Sequence, residues 1–234
     1  MKKKTSFIVF LISFLTGAAQ FAAAQQPSYQ DDDLSPESFS IILKDEWVYL
    51  RDATEQLEKE TGLRGEFETT PEFQARSGQA RKTFLAKLNA HIKEKKLDKR
   101  IFGVWFKAEL ISYDADGGMY TVKCNTTIPA PYDIPTVECI VPTNAYVGMT
   151  DSVKGGYRTP TIRLMFDPDF QWKAARNDAK AAKGSEANVF FKIHFMIDIT
   201  QDSYSARARM RIVPKDIILM NKMNNTVFWK QDIK

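Results

Sequence analysis

The spacing of apolar residues changes once along this 234-residue chain, close to residue 100. Before that point, apolar residues recur every three or four positions, which places them on one face of an α-helix. After it, several runs alternate apolar and polar residues, as in β-strands with one buried face. The sequence therefore predicts an α+β fold, with an N-terminal helical hairpin over residues 35–100 followed by an antiparallel β-domain over residues 101–234.

Three short segments carry the same helix-start signal, a capping side chain followed by proline and an acid. The cap accepts an unpaired backbone N–H, proline loses no hydrogen bond in the first turn, and the acid complements the helix dipole. The segments are Ser35-Pro36-Glu37, Thr70-Pro71-Glu72 and Asp167-Pro168-Asp169. They predict the two helices of the hairpin, the first ending at Gly62, and a third helix inserted in the β-domain over residues 168–183.

The β-domain is expected to have strands on both sides of the inserted helix. Alternation and turn signals mark strands at 101–110, 119–125, 136–142 and 159–166 before it and at 191–199 and 206–212 after it, with a loop at 148–156 and a terminal hairpin that turns at Asn224-Asn225. An OB-like barrel with one inserted helix has a similar order of elements. An open α+β sheet accounts for the pattern as well, so the sequence leaves both arrangements open.

The first 24 residues have the pattern of a secretory signal peptide. Lys2, Lys3 and Lys4 precede a short apolar core, and Ala22-Ala23-Ala24 forms a small-residue cleavage site. The core is shorter than the roughly 20 residues that a transmembrane helix needs, and no cysteine lies near the cleavage site to accept lipid. We expect cleavage after Ala24 and a protein that is exported, periplasmic or secreted, with no membrane span after cleavage and not a lipoprotein.

Removal of the signal peptide leaves a chain that is nearly neutral. It loses three lysines, so 30 of the 33 basic side chains remain against 29 acidic ones. This balance does not favour a nucleic-acid partner, which requires a strongly basic surface. Residues 25–34 include the acidic run Asp31-Asp32-Asp33 and lack apolar periodicity, so they are expected to form a flexible acidic leader.

Cys124 and Cys139 are the two cysteines of the chain. Export to an oxidising compartment and an even number of cysteines favour a disulfide. Both lie in predicted strands that a turn-rich segment joins, so the sequence predicts a bridge between neighbouring strands. A redox-active thiol is the alternative, but the pair lacks the Cys-X-X-Cys spacing of such sites.

An arginine ladder follows the predicted strand at 206–212. Its members Arg207, Arg209 and Arg211 share one face because strand side chains alternate. If a four-residue turn pairs Thr200 with Ser205, Asp198 lies opposite the first arginine and His194 opposite the third. Asp198 then neutralises one guanidinium and leaves two for a carboxylate, phosphate or sulfate. The sequence predicts either an anion or partner site formed by the ladder with His194, or a solvated outer face of the strand.

Other candidate sites have simpler structural explanations. His91 and His194 are the two histidines, and they lie in different parts of the pattern, which does not favour zinc. His194 is expected at the surface of its strand and His91 at the rim of the helix interface. Asp114 and Asp116 begin like a calcium loop, but Gly118 stands where a ligand is needed, so a hairpin turn is expected. We predict no metal, no cofactor and no catalytic residues.

Residues 65–76 resemble a segment of secreted bacterial proteins of uncharacterised families. The segment is Gly65-Glu66-Phe67-Glu68-Thr69-Thr70-Pro71-Glu72-Phe73-Gln74-Ala75-Arg76. The resemblance implies a bacterial origin and carries no activity.

These observations favour a non-enzymatic exported binding or interaction protein of the bacterial envelope, whose partner is a protein or an anionic envelope ligand. The sequence contains no hydrolase, nucleotide-binding or metalloprotease motif. The alternative is a small hydrolase of envelope polymers, because glycosidase chemistry needs only two carboxylates that the fold brings together.

Overall fold

The computed structural model describes residues 30–131, 137–141, 146–154, 157–166, 169–201 and 208–233. The helices are α1 (Pro36–Thr61), α2 (Thr70–Lys95) and α3 (Arg176–Gly184). The strands are β1 (Gln30–Leu34), β2 (Ile101–Lys107), β3 (Glu109–Asp114), β4 (Met119–Lys123), β5 (Thr127–Pro129), β6 (Val137–Ile140), β7 (Val147–Lys154), β8 (Tyr157–Leu164), β9 (Phe170–Lys173), β10 (Val189–Gln201), β11 (Ala208–Asn221) and β12 (Val227–Asp232). The predicted signal peptide lies outside the described residues.

Three sheets make up the β-domain. The largest has the order β1-β2-β10-β11-β12, with β6 also paired to β11, and the two smaller sheets have the orders β3-β4-β9 and β5-β8-β7. The described pairs are antiparallel except β1 with β2 and β6 with β11. None of these sheets closes into a barrel within the described residues. The α+β class is confirmed, and the observed sheets are open rather than an OB-like barrel.

The helix α1 begins and buries its apolar face as the sequence predicts. The Ser35 hydroxyl accepts a hydrogen bond from the Ser38 amide at 3.1 Å, which caps the first turn. The buried apolar side chains of α1 are Phe39, Leu43, Leu50 and Leu57. Phe39 stacks on Phe195 of the large sheet, with ring centroids 5.3 Å apart, so the start of α1 is fixed to the β-domain.

The helix α2 completes the predicted hairpin. Thr69 and Glu72 form a capping box, one residue before the capping threonine that the sequence indicates. The buried side chains Ala80, Phe84 and Leu88 recur at helical spacing and belong to the same core as the buried face of α1. Lys96 caps the C-terminal end of α2 and adopts a left-handed conformation with φ 56°.

The long hairpin of β10 and β11 forms the centre of the domain. The predicted inward face of β10 is confirmed, since Phe191, Ile193, Phe195, Ile197 and Ile199 are all buried. They lie on the side of the sheet that α1 covers. The opposite side is called the outer face below. The predicted turn at Asn224-Asn225 is also confirmed, because it lies in the connection between β11 and β12.

Two expectations about local structure are wrong. Residues 148–154, predicted as loop, belong to β7, which pairs with β8. Residues 170–173, predicted as helix, form β9, and α3 begins only at Arg176. Phe170 and Trp172 alternate inward from β9, and Phe170 packs on Trp229 at 4.6 Å between ring centroids. This packing outweighs the helix-start signal at Asp167-Pro168-Asp169, of which residues 167 and 168 lie outside the described residues.

The predicted flexible leader is a further correction. Residues 30–34 form β1, an edge strand parallel to β2, while residues 25–29 lie outside the described part of the chain. Apolar periodicity does not reveal β1 because the strand is short and its acidic side chains pair with polar and charged groups rather than with the core.

Candidate functional site

The arginine ladder lies on β11, where its described members are Arg209 and Arg211. Arg209 and Arg211 point to the outer face of β11, and the buried residues Met210 and Ile212 point to the inner face. The prediction that these arginines share one face is therefore confirmed. The predicted register is wrong. Asp198 lies opposite Arg211 and Thr200 opposite Arg209, because the connection between the strands is longer than a four-residue turn. Arg207 lies outside the described residues.

Both described arginines of the ladder have carboxylate partners. Arg209 Nε lies 2.9 Å from Glu138 Oε2 of the neighbouring strand β6, and Arg211 Nη1 lies 3.7 Å from Asp198 Oδ2. The sequence predicted that Asp198 would neutralise one arginine and leave two unpaired, and it missed Glu138 because the parallel pairing of β6 with β11 spans about 70 residues. Arg209 and Arg211 therefore do not form the unneutralised pair that an anion site would need.

His194 is not the surface residue that the sequence predicts. Its side chain is 12% exposed and lies between two carboxylates, with Nδ1 2.6 Å from Asp216 Oδ1 and Nε2 2.8 Å from Asp32 Oδ1. The other oxygen of Asp32 is 2.6 Å from Nζ of the buried Lys192. On β12, which pairs with β11, Lys230 Nζ lies 3.4 Å from Asp216 Oδ2. Charges of alternating sign thus extend over the outer face from β1 to β12, with β2 between β1 and β10.

A bulge and a glycine make this arrangement possible. Asp31 pairs with Phe102 and Leu34 with Val104, so both Asp32 and Asp33 lie opposite Gly103. A Cβ atom on Gly103 would lie 2.6 Å from Asp32 Oδ1 and 2.9 Å from Lys192 Cε. The missing side chain therefore lets the carboxylate of Asp32 reach across β2 to β10.

The two carboxylates keep His194 in its charged form. Burial by itself lowers the pKa of His194, but the hydrogen bonds and charges of Asp216 and Asp32 outweigh it and the pKa is raised above its ordinary 6.5. Burial also raises the pKa values of Asp32 and Asp216, yet Lys192 and His194 for Asp32, and His194 and Lys230 for Asp216, lower them overall. Two acceptors require two ring N–H donors, which only the imidazolium provides.

This chemistry fits a structural link better than a catalytic centre. Both ring nitrogens of His194 are engaged by carboxylates, so neither is available to activate a nucleophile or bind a metal. Within the described residues, no group of three or more His, Cys, Asp and Glu side chains is placed to hold a metal ion.

The acidic run that the sequence assigned to a solvated leader holds β1 on the sheet. Asp31 accepts a hydrogen bond from Arg100 Nε at 2.8 Å. Asp33 accepts one from Trp105 Nε1 at 2.6 Å and lies 2.9 Å from Lys222 Nζ. With Asp32 on Lys192 and His194, each acid of the run has a separate partner. The sequence shows three consecutive acids shortly before a capping serine. It does not show their partners, which lie far away in the chain.

The tip of the helical hairpin exposes two large apolar side chains. Leu63 is 98% exposed and Phe67 is 92% exposed, both in the connection between α1 and α2. Exposed apolar patches mark interaction sites, whereas apolar residues scattered singly over a surface are normal. Neither residue was predicted as a site from the sequence, although apolar residues between Gly62 and a capping threonine are a signal that could have found them.

A network of polar contacts fixes this tip. Glu68 accepts two hydrogen bonds from Arg76, at 2.8 and 2.9 Å, and a third from the Gly65 amide at 3.0 Å. Arg76 also donates to the carbonyl oxygens of Glu60 and Leu63. The hydrogen bonds from Arg76 and Gly65 lower the pKa of Glu68 to about 2. The connection is therefore held in one conformation by its charged residues while its apolar ones remain outside.

His91 lies at the interface of the two helices, as predicted. Its Nε2 is 2.6 Å from Glu46 Oε2 of α1, and its ring stacks on Tyr49 with centroids 3.6 Å apart. These contacts join α1 to α2, so the role of His91 is structural.

The structure shows no bond between Cys124 and Cys139, and the predicted disulfide stays a prediction. Cys139 is buried in β6, which pairs with β11, whereas Cys124 follows β4, which pairs with β3 and β9. The two strands are therefore not neighbours. The redox alternative is not favoured either, since burial raises the pKa of the Cys124 thiol to about 11 despite hydrogen bonds from Thr126.

We expect slow alkylation of Cys124 in the folded protein. At pH 8 a thiol with a pKa of about 11 has roughly 100-fold less thiolate than one with an ordinary pKa of 9. Iodoacetamide labelling followed by mass spectrometry measures the rate. In urea without reductant, the absence of labelled thiols would support the predicted disulfide, and two labelled thiols would reject it.

No family model, curated protein or solved structure matches this chain. The resemblance of residues 65–76 to secreted bacterial proteins stays a prediction. None of the described helices is long and apolar enough to cross a membrane.

Proposed function

We propose that this chain is an exported, non-enzymatic binding protein of the bacterial envelope, and that it contacts a protein partner through the tip of its helical hairpin. The tip comprises residues 62–69. The observation that carries the proposal is the full exposure of Leu63 and Phe67 on a connection that Glu68 and Arg76 hold rigid. The proposed export rests on the signal-peptide pattern of residues 1–24.

Exposure of these two side chains is costly unless a partner covers them. Burying a side chain such as leucine or phenylalanine is worth roughly 1.5–3 kcal/mol. The fixed backbone adds to this advantage, because a preorganised loop loses less conformational entropy on binding. A rigid aromatic residue next to an aliphatic one is also the kind of pair that contributes most of the energy in protein interfaces.

The hairpin places the tip far from the β-domain. Each helix has 26 residues, which corresponds to about 39 Å at 1.5 Å per residue. The β-domain contacts the beginning of α1, where Ser40 Oγ donates to the Pro129 carbonyl oxygen at 2.7 Å. The connection between the helices lies at the other end of α1, so a partner can reach it without contacting the sheets.

The charges around the tip favour a protein over a membrane surface. Residues 55–72 contain six acidic side chains and two basic ones. Anionic lipid headgroups would repel this segment, since membrane-surface binding depends on lysine and arginine. An apolar pocket rimmed by basic side chains would complement both the exposed apolar residues and the surrounding acids.

The structure offers less for the alternative of an envelope-polymer hydrolase. Such an enzyme needs one carboxylate that can hold a proton and a second one that stays charged, with a sugar between them. Asp32 and Asp216 flank His194 itself, and both have lowered pKa values. Neither is suited to be a general acid.

The experiment that tests the proposal places a photo-crosslinking phenylalanine analogue at position 67 of the exported protein in its own host. We expect one protein adduct at position 67. We expect none at position 41, since Ile41 is exposed as well but lies near the start of α1, away from the tip. The Leu63→Ser, Phe67→Ser double variant should reduce retention of the crosslinked partner at least 10-fold.

The matched control is Ile41→Ser, which removes an exposed apolar side chain elsewhere on α1 and should retain the partner at the wild-type level. Melting temperatures should agree among the three proteins. Retention unaffected by the double variant, or adducts with lipid alone, would contradict a protein-binding tip.

A further inference from the structure

A second feature of the molecule lies far along the chain from the hairpin tip. A cavity of about 280 Å³ opens between α3 and the hairpin of β3 and β4. Its lining includes Tyr113, Tyr120, Ala179, Arg176, Lys180 and Lys183. The volume is close to the lower limit of ordinary small-molecule sites.

Aromatic residues form a fixed part of the cavity lining. Tyr113 donates from its hydroxyl to the Ala174 carbonyl oxygen at 3.1 Å, which orients its ring. The ring centroids of Tyr113 and Tyr120 lie 5.6 Å apart, and Tyr120 stacks on Trp172 at 6.2 Å. This lining is therefore apolar and held by a stack of three rings.

Basic residues of α3 form the rim. Arg176, Lys180 and Lys183 are spaced by four and three residues, so they lie on one face of the helix. Lys183 is already engaged, with Nζ 2.6 Å from Glu186 Oε2. The positive charge available to a ligand therefore comes from Arg176 and Lys180.

Asp114 of the β3–β4 turn is engaged within the turn itself. Asp114 Oδ1 accepts a hydrogen bond from the Asp116 amide at 3.0 Å, so this carboxylate closes its own turn. The rim thus combines an aromatic wall with two basic side chains on the side that α3 provides.

We propose that this cavity binds a small organic anion with a planar apolar body and one carboxylate or phosphate group. The apolar body lies against Tyr113 and Tyr120, and Arg176 and Lys180 bind the charged group, the former through a bidentate contact that its planar guanidinium allows. The arginine ladder of β11, which the sequence analysis considered for anions, lacks this combination because its described members have carboxylate partners.

The test measures binding of three probes to the full mature chain by equilibrium dialysis and by two-dimensional NMR. The probes are 1-naphthoate, phenyl phosphate and the neutral 1-naphthalenemethanol. We expect saturable binding of at least one anion, with shifts in residues 113, 120 and 180, and at least 10-fold weaker binding of the neutral probe. The two anions distinguish a carboxylate ligand from a phosphate ligand.

The Arg176→Gln, Lys180→Gln double variant should weaken anion binding at least 10-fold and leave the neutral probe unchanged. Lys82→Gln, an exposed basic residue of α2, is the control and should bind as wild type. The Leu63→Ser, Phe67→Ser variant should also bind the anion normally, which separates this site from the hairpin tip. Absence of saturable anion binding, equal binding of the neutral probe, or equal binding by the double variant would each overturn the proposal.

Discussion

Replacement of Phe195 by alanine should lower the free energy of unfolding by about 3–5 kcal/mol. Phe195 is fully buried in the centre of the large sheet. Its ring stacks on Phe39 of α1 at 5.3 Å between centroids, so the cavity left by the substitution would lie at the junction of the helix and the sheet. Neighbouring side chains cannot easily fill that space, because strands on both sides fix their backbones.

Urea denaturation measures this effect, and Arg211→Ala provides the matched control. Arg211 extends from the other face of the same hairpin, is 45% exposed and lies 3.7 Å from Asp198. Its loss should change the free energy of unfolding by no more than about 0.5 kcal/mol. A loss below about 1 kcal/mol for Phe195→Ala, or a large loss for Arg211→Ala, would mean that β10 and β11 face the opposite way.

The sequence predicted which side chains of β10 are buried, because this depends only on the local alternation of side chains along the strand. The register between β10 and β11 depends on loop length instead, and a four-residue turn was assumed where Gln201 in fact pairs with Ala208. That difference shifts every cross-strand pair. The assumed four-residue turn placed His194 opposite Arg211, whereas the structure places His194 opposite Asp216.

Partners far apart in the chain explain what could not be predicted about the acidic run. Asp32 meets Lys192 and His194 across more than 150 residues. No periodicity within residues 25–34 reveals those contacts, and a run of acids in isolation is typical of solvated segments. Local signals predicted the helical hairpin well, because capping and spacing there are short-range.

The exposed tip shows a different limit of sequence reasoning. Glu68 and Arg76 are spaced by eight residues, on either side of a helix start, and their pairing fixes the connection. Capping alone explained most of the segment at 65–76. The exposure of Phe67 becomes visible only once the connection has a definite path, because an apolar residue in a loop can also fold back onto the helices.

His194 should make the stability of the protein depend on pH above its unfolded pKa of 6.5. A histidine whose pKa is raised in the folded state stabilises fully below its unfolded pKa of 6.5, and this contribution is lost as the pH rises through the folded pKa. Asp32 and Asp216, whose pKa values are lowered, contribute above about 3.8 and lose their contribution as the pH falls through the folded values. The groups around His194 therefore stabilise most between these two limits.

We expect the wild-type protein to have a higher free energy of unfolding at pH 5.5 than at pH 8.5, as measured by urea denaturation. At pH 5.5 His194→Gln should lower it by roughly 1.5–3 kcal/mol, the usual contribution of hydrogen bonds to charged groups. Glutamine cannot gain a proton. The free energy of unfolding of this variant should therefore lack the decrease from pH 5.5 to pH 8.5 that His194 causes in the wild-type protein. His91→Gln, which removes the other histidine but leaves Asp32 and Asp216 in place, should retain that decrease. If His194→Gln keeps the full decrease, or His91→Gln abolishes it, then His194 is not the group through which pH acts on the outer face.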